Sequence, residues 1–164
     1  MGSGWAGRAG WTSSRSPSHR GADTPEAEHS ITVDRPIEAV FAFLADAEND
    51  PRWRSAVLDI ERVEREGAGA RYRQGVKGPM GRRVAADFEI TEYAPPRVIG
   101  FRGTAGPVRP EGRYELEPVG GGTRVRFSLS AQPRGFARLM TPGVARAMRS
   151  EVQAIERLPE AMGT

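Results

Sequence analysis

Between Val57 and Ala131 apolar residues return at every second position, and clusters of Gly and Pro interrupt the run. One face of this pattern carries Tyr72, Gln74 and Val76, then Val84, Ala86, Phe88 and Ile90, then Ile99 and Phe101. It continues with Tyr114 and Leu116, and with Val125, Phe127 and Leu129. The alternate positions hold Arg71, Arg73, Asp87, Glu89, Arg113, Glu115, Arg124 and Arg126. Period two with this split predicts strands that bury one face and wet the other. The breaks fall at Gly67-Ala68-Gly69, Gly78-Pro79-Met80-Gly81, Ala94-Pro95-Pro96, Gly106-Pro107 and Gly120-Gly121-Gly122. They divide the segment into about six antiparallel strands.

The flanking segments read differently. Ser30 to Val33 alternates as a short strand. Asp34 then offers a cap, Pro36 suits a first helical turn, and Val40, Phe41 and Leu44 have helical spacing. Asn49-Asp50-Pro51 ends or bends that helix, and a second short helical turn is expected to carry Trp53. From Gly135 onward the period changes to 3.6, with Phe136, Met140, Val144, Met148, Val152, Ile155, Leu158 and Met162 on one stripe. Pro142-Gly143 is expected to kink or restart this helix. With the first strand, about seven strands and one long amphipathic helix pack face to face as an α+β domain.

Composition narrows the chemistry. A chain of 164 residues is one domain by size. It contains no Cys, and its two histidines, His19 and His29, precede or open the patterned region. A zinc site or a Ser-His-Asp triad has almost nothing to work with, and no metal or cofactor is expected. The formal charge is +3, yet arginines and acids alternate, as in Arg62-Val63-Glu64-Arg65-Glu66. A solvated surface of mixed sign follows, with no nucleic-acid partner. The longest apolar run, Ala39 to Ala45, is too short for membrane insertion. Residues 1–27 are rich in Gly, Ser and Arg, lack any apolar period and show no secretory h-region. They read as a disordered tail before a domain spanning 28–164, and a cytoplasmic location is expected.

The stretches "ITVDRPIEAVFAFLADAENDPRW", "ITEYAPPRVIGFR" and "YELEPVGGGTRVRFSLS", with the terminal helix, resemble the START-like (Bet v 1-like, SRPBCC) superfamily, in particular its bacterial polyketide cyclase/dehydrase branch. The resemblance runs from Ser30 to about Met162. It implies a helix-grip fold, in which a curved antiparallel sheet wraps around the long C-terminal helix, with two short helices after the first strand. It also implies an apolar cavity between sheet and helix. Members of the superfamily bind lipids, hormones or polyketides, and some are cyclases or dehydratases. There is no shared catalytic signature to carry over, so whether this chain is an enzyme stays open. The partner implied is a small hydrophobic ligand, and a monomer and a homodimer are equally compatible with the pattern.

Candidate contacts follow from the buried face. Tyr72, Gln74 and Tyr114 are its polar members, set among Phe88, Phe101 and Phe127, which suits an apolar pocket with a few orienting groups. The alternative places the two hydroxyls at the sheet rim and Gln74 on backbone partners. Trp53 reads either as a ligand contact at the cavity or as core closure against the last helix. Met140 and Met148 are adaptable pocket residues or simple core filler. Asp87 and Glu89 share the wet face and read as surface charges. Gly67-Ala68-Gly69 and Gly120-Gly121-Gly122 join strands, so neither is a nucleotide loop. Glu151 is the least expected residue: at 100° per residue it falls inside the apolar stripe. It must be paired, hydrogen-bonded, protonated or wet. A role as general acid, a structural pair with an arginine, and a carboxylate that reaches the rim all fit the sequence.

Three functions follow. The first is binding of a small hydrophobic or amphipathic molecule. The second is a polyketide cyclase or dehydratase acting on a poly-β-keto or aromatic intermediate, with Glu151 or a Tyr moving protons. The third is a protein-interaction module whose cavity is vestigial.

Overall fold

The computed structural model describes residues 26–131 and 141–163. Eight strands form one antiparallel sheet: β1 (Glu26–Val33), β2 (Val57–Glu64), β3 (Arg71–Lys77), β4 (Arg83–Ala85), β5 (Phe88–Ala94), β6 (Val98–Gly103), β7 (Pro110–Val119) and β8 (Gly122–Ala131). The order across the sheet is β1-β8-β7-β6-β5-β3-β2, with β4 paired to β3 off this path. Helix α1 (Ile37–Ala45) and a 3-10 turn (Ala47–Arg52) lie between β1 and β2. The C-terminal helix is built of α2 (Thr141–Gln153), a 3-10 turn (Ala154–Arg157) and α3 (Leu158–Met162). α2 packs on β1 and β8, and α1 on β7 and β8. This is the helix-grip arrangement, and no helix among the described residues is long and apolar enough to cross a membrane.

The alternation predicts the buried face well. Tyr72, Gln74, Phe88, Ile90, Ile99, Tyr114, Leu116, Val125, Phe127 and Leu129 are buried. From the other side, Val40, Phe41 and Leu44 of α1 and Met148, Val152, Ile155 and Leu158 of the C-terminal helix close the same core. The outer face carries cross-strand ion pairs, among them Arg113–Glu92, Arg124–Glu117 and Arg126–Glu115. Such exposed pairs contribute little each, and they keep the wet face of the sheet charged.

Five details differ from the sequence reading. β1 begins at Glu26, so Glu26 and Ala27, expected in the tail, pair with Ser130 and Leu129; residues 1–25 lie outside the described residues. α1 starts after Pro36, which is its N-cap and accepts no help from Asp34. The helix also stops at Ala45, before Asn49-Asp50-Pro51, because the Asp46 carboxylate takes the Glu48 N–H and opens the 3-10 turn. The single strand expected through Val84 to Ile90 is two strands. β5 pairs with β3 at Arg71–Glu89 and Tyr72–Phe88, and β4 pairs with β3 in the same register from Gly75–Ala85 to Lys77–Arg83, with an interruption at Ala86-Asp87 between them. Where the ladder fails, the Asp87 carboxylate accepts from the Gln74 backbone N–H at 3.0 Å. The last helix narrows to a 3-10 turn ahead of Pro159, which has no N–H to give the Ile155 carbonyl.

The entry to α1 is tied to the sheet by Thr123, fully buried on β8, whose hydroxyl donates to the Arg35 carbonyl at 2.8 Å. Replacing Thr123 by Val keeps the shape and removes the bond. The variant is expected to lose about 1 kcal/mol in chemical denaturation. An unchanged midpoint would show that this tie contributes nothing.

Candidate functional site

A cavity of about 400 Å³ lies between the sheet and α2. Most of its wall is apolar: Ile90, Ile99, Phe101 and Leu129 from the sheet, with Val144 and Met148 from α2. Small residues keep the space open, among them Ala86, Ala105 and Ala147. So does Gly112, which has no Cβ to lift the Phe101 ring: a Cβ there would stand 2.1 Å from that ring.

One end of the cavity is charged. Arg54, just past the 3-10 turn, donates from Nε to Glu151 at 2.7 Å and from Nη1 to Asp50 at 2.8 Å. Its Nη1 also reaches the Gln74 side-chain oxygen at 3.4 Å, while the Gln74 amide nitrogen donates to the Ala86 carbonyl. Asp50 and Arg54 are four residues apart, one turn of chain, so both point inward on the same side of the connector. Glu151 comes from the facing helix. The side chains are 6%, 13% and 21% exposed for Asp50, Arg54 and Glu151. Two carboxylates therefore share one guanidinium in a mostly buried place.

Electrostatics follow from that arrangement. Burial lifts the Asp50 pKa to about 6, against the pull of Arg54 and with the help of the Glu151 charge. Arg54 is held firmly protonated: burial works against its charge, but Glu151 and Asp50 outweigh it. The Tyr114 phenol is pushed well up by burial and by the neighbouring Asp50 charge, so it keeps its proton.

The residues expected at the site divide into three groups. Gln74, Phe88, Phe101, Tyr114, Phe127, Met148 and Glu151 all line the cavity. Trp53 and Tyr72 do not. Trp53 is 1% exposed and sits edge-on to Tyr114 and Phe127, with ring centroids 6.3 and 6.0 Å away. It caps the end of the 3-10 turn and packs behind two wall residues, the core-closing alternative. Its Nε1–H is the one buried side-chain polar atom among the described residues without a hydrogen-bond partner. Tyr72 stacks on Phe88 with centroids 5.0 Å apart, and its hydroxyl lies by the Ala47 backbone and Arg62. Met140 lies outside the described residues. The structural alternative for Glu151, a pair with an arginine, is the one present. Asp50 and Arg54 escaped the sequence reading, since a connector has no periodicity to flag inward positions. The available signal was their spacing of four beside a buried Trp.

The Polyketide cyclase / dehydrase and lipid transport family matches residues 24–160. Among solved structures, the protein TTHA0849 from Thermus thermophilus is 28% identical with a TM-score of 0.73, over 84% of this chain and 97% of its own. The Zhui aromatase/cyclase from a Streptomyces species is 19% identical, TM-score 0.61, over 86% and 99% of the two chains. A START superfamily protein from Mycobacterium smegmatis is 16% identical, TM-score 0.60, over 81% and 98%. The last two are likenesses of fold alone. No curated protein matches the chain.

The shared guanidinium sets two expected outcomes. Arg54→Met leaves two buried carboxylates without a counter-charge and is expected to cost roughly 3–5 kcal/mol near pH 7, read by denaturant titration. A loss below about 1 kcal/mol would show that water, not Arg54, solvates the carboxylates. Asp50 supplies a pH dependence. Its native pKa of about 6 exceeds the unfolded value of 3.8. Between these the native state holds more protons, so stability falls as pH rises from 3.8 through 6. Asp50→Asn removes this dependence. Its stability relative to wild type is expected to improve by about 1–3 kcal/mol between about pH 4 and pH 7. A constant difference across that window contradicts the raised pKa.

Proposed function

The chain belongs to the polyketide cyclase/dehydrase and lipid transport family, and from that membership we propose that it binds a small hydrophobic or amphipathic molecule in the cavity between sheet and α2. The supporting observation is the cavity itself. Its volume of about 400 Å³ falls within the usual size range of small-molecule sites. Its lining has the composition of such sites, with a broad apolar wall and polar groups gathered at one end. Apolar area supplies the affinity, and Gln74, Tyr114, Asp50, Arg54 and Glu151 orient the polar part of the ligand. Phe88, Phe101, Phe127 and Met148 hold the rest. Trp53 and Tyr72 act from behind by fixing the aromatic wall. An interaction module with a vestigial cavity needs a filled interior, and a space of this volume counts against it.

A second reading, a cyclase or dehydratase acting on a poly-β-keto or aromatic intermediate, has one specific observation in its favour. Asp50 borders the cavity with a pKa of about 6, the pitch at which a carboxyl both takes and returns protons. In that reading Asp50 replaces Glu151 as the proton-moving group, and Tyr114 donates a hydrogen bond to a ligand carbonyl.

Binding is tested with N-phenyl-1-naphthylamine, a neutral dye that brightens in apolar surroundings. The native protein is expected to bind it saturably. Met148→Trp, which fills the cavity from α2, is expected to weaken binding at least tenfold while remaining folded by thermal melt. Absence of saturable binding by the native protein would end the proposal.

A further inference from the structure

The polar end of the cavity has an unusual balance of donors and acceptors. Asp50 and Glu151 each use one oxygen, Oδ2 and Oε2, to accept from Arg54. The other oxygen of each, Oδ1 and Oε1, has no hydrogen-bond partner among the described residues, and both residues border the cavity. Two negative charges against one positive leave this end with a surplus of one negative charge. Gln74 is engaged at both ends of its amide, its oxygen accepting from Arg54 at 3.4 Å and its nitrogen donating to the Ala86 carbonyl, and it adds no charge. The remaining charged residues on the lining are Lys77 and Asp87. Lys77 is exposed at the rim, and the Asp87 carboxylate is taken by the Gln74 backbone.

These facts sort the headgroups that the cavity accepts. An anionic headgroup meets like charge and an arginine already engaged by two carboxylates. An ether or ketone oxygen satisfies a donor such as the Tyr114 phenol and leaves both carboxylate oxygens bare. A hydroxyl meets both needs, since it donates to a carboxylate and accepts from a donor. A buried acceptor left unmet on ligand entry is the stronger penalty, and it drives the selection.

We infer that the molecule held in this cavity is a neutral apolar body bearing a hydroxyl group, an alcohol or a phenol, and that the site discriminates against carboxylates. The inference rests on the binding reading proposed above. Asp50, Glu151 and Tyr114 are its specificity-determining residues, with Arg54 positioning the two carboxylates.

Equilibrium dialysis of the full chain at about pH 7.5 with three probes of one aromatic body tests it. The probes are 2-naphthol, 2-methoxynaphthalene and 2-naphthoate. The hydroxyl probe is expected to bind at least tenfold more tightly than either of the others. In Glu151→Gln and Asp50→Asn its advantage over the methoxy probe is expected to shrink below threefold, while methoxy binding itself changes little. General destabilisation would weaken both probes alike. Should Asp50→Asn fail to fold, Glu151→Gln carries the test, because there Arg54 retains Asp50. Equal binding of the hydroxyl and methoxy probes, or naphthoate bound as tightly as naphthol, overturns the inference and leaves the cavity reading standing. A protein that binds none of the three loses both.

Discussion

Arg54 joins two parts of the protein by ion pairs: the connector after α1 and the C-terminal helix. Its guanidinium lies between Asp50 and Glu151 at 2.8 and 2.7 Å, in a place where either carboxylate alone would be costly to bury. The pair within the connector is local, one turn of chain apart. The pair with Glu151 closes across 97 residues and brings α2 over the mouth of the sheet. Position and charge are coupled here. The helix can carry a carboxylate on its apolar stripe because the cation waits opposite, and the cation is fixed because the preceding residue, Trp53, is anchored in the core.

The cavity is bounded by small residues and by one interruption in the β3 ladder. Between β5 and β4 the ladder beside β3 is interrupted, and there the Gln74 N–H takes a side chain, Asp87, as its partner. Alanines at 86, 105 and 147 and the bare Gly112 decline to refill the gap. Polar satisfaction and missing volume thus meet at the same corner, and a site with an apolar wall and one charged end is the result.

That corner also bears on chemistry. Binding needs an apolar wall and an orienting group, and both are present. Catalysis needs in addition a group that gives and takes a proton near neutrality. Burial and a neighbouring negative charge bring Asp50 into that range, while the same causes push the Tyr114 phenol further above it, so that it serves as a donor. The same geometry therefore supports recognition and gives proton transfer one specific candidate.

Most of the fold was legible in the chain. Period two from Tyr72 to Leu129 selects the buried face, and the stripe from Val144 to Leu158 selects the helix face that covers it, because burial imposes the repeat of the backbone on the side chains. Glu151 stood out for the same reason, as a charge where the repeat calls for an apolar residue. Arg54 and Asp50 did not, since they sit on a connector with no repeat to violate. Whether Trp53 faced a ligand or the core was likewise a matter of direction, which a side chain on a turn takes from its neighbours. The interruption of the strand between Val84 and Ile90, the cavity, and the partner of Glu151 depend on residues far apart in the chain. Local sequence determined which face of each strand and helix is buried; only the tertiary structure decided which residues meet, because pairing of charges and missing volume are properties of the space between elements.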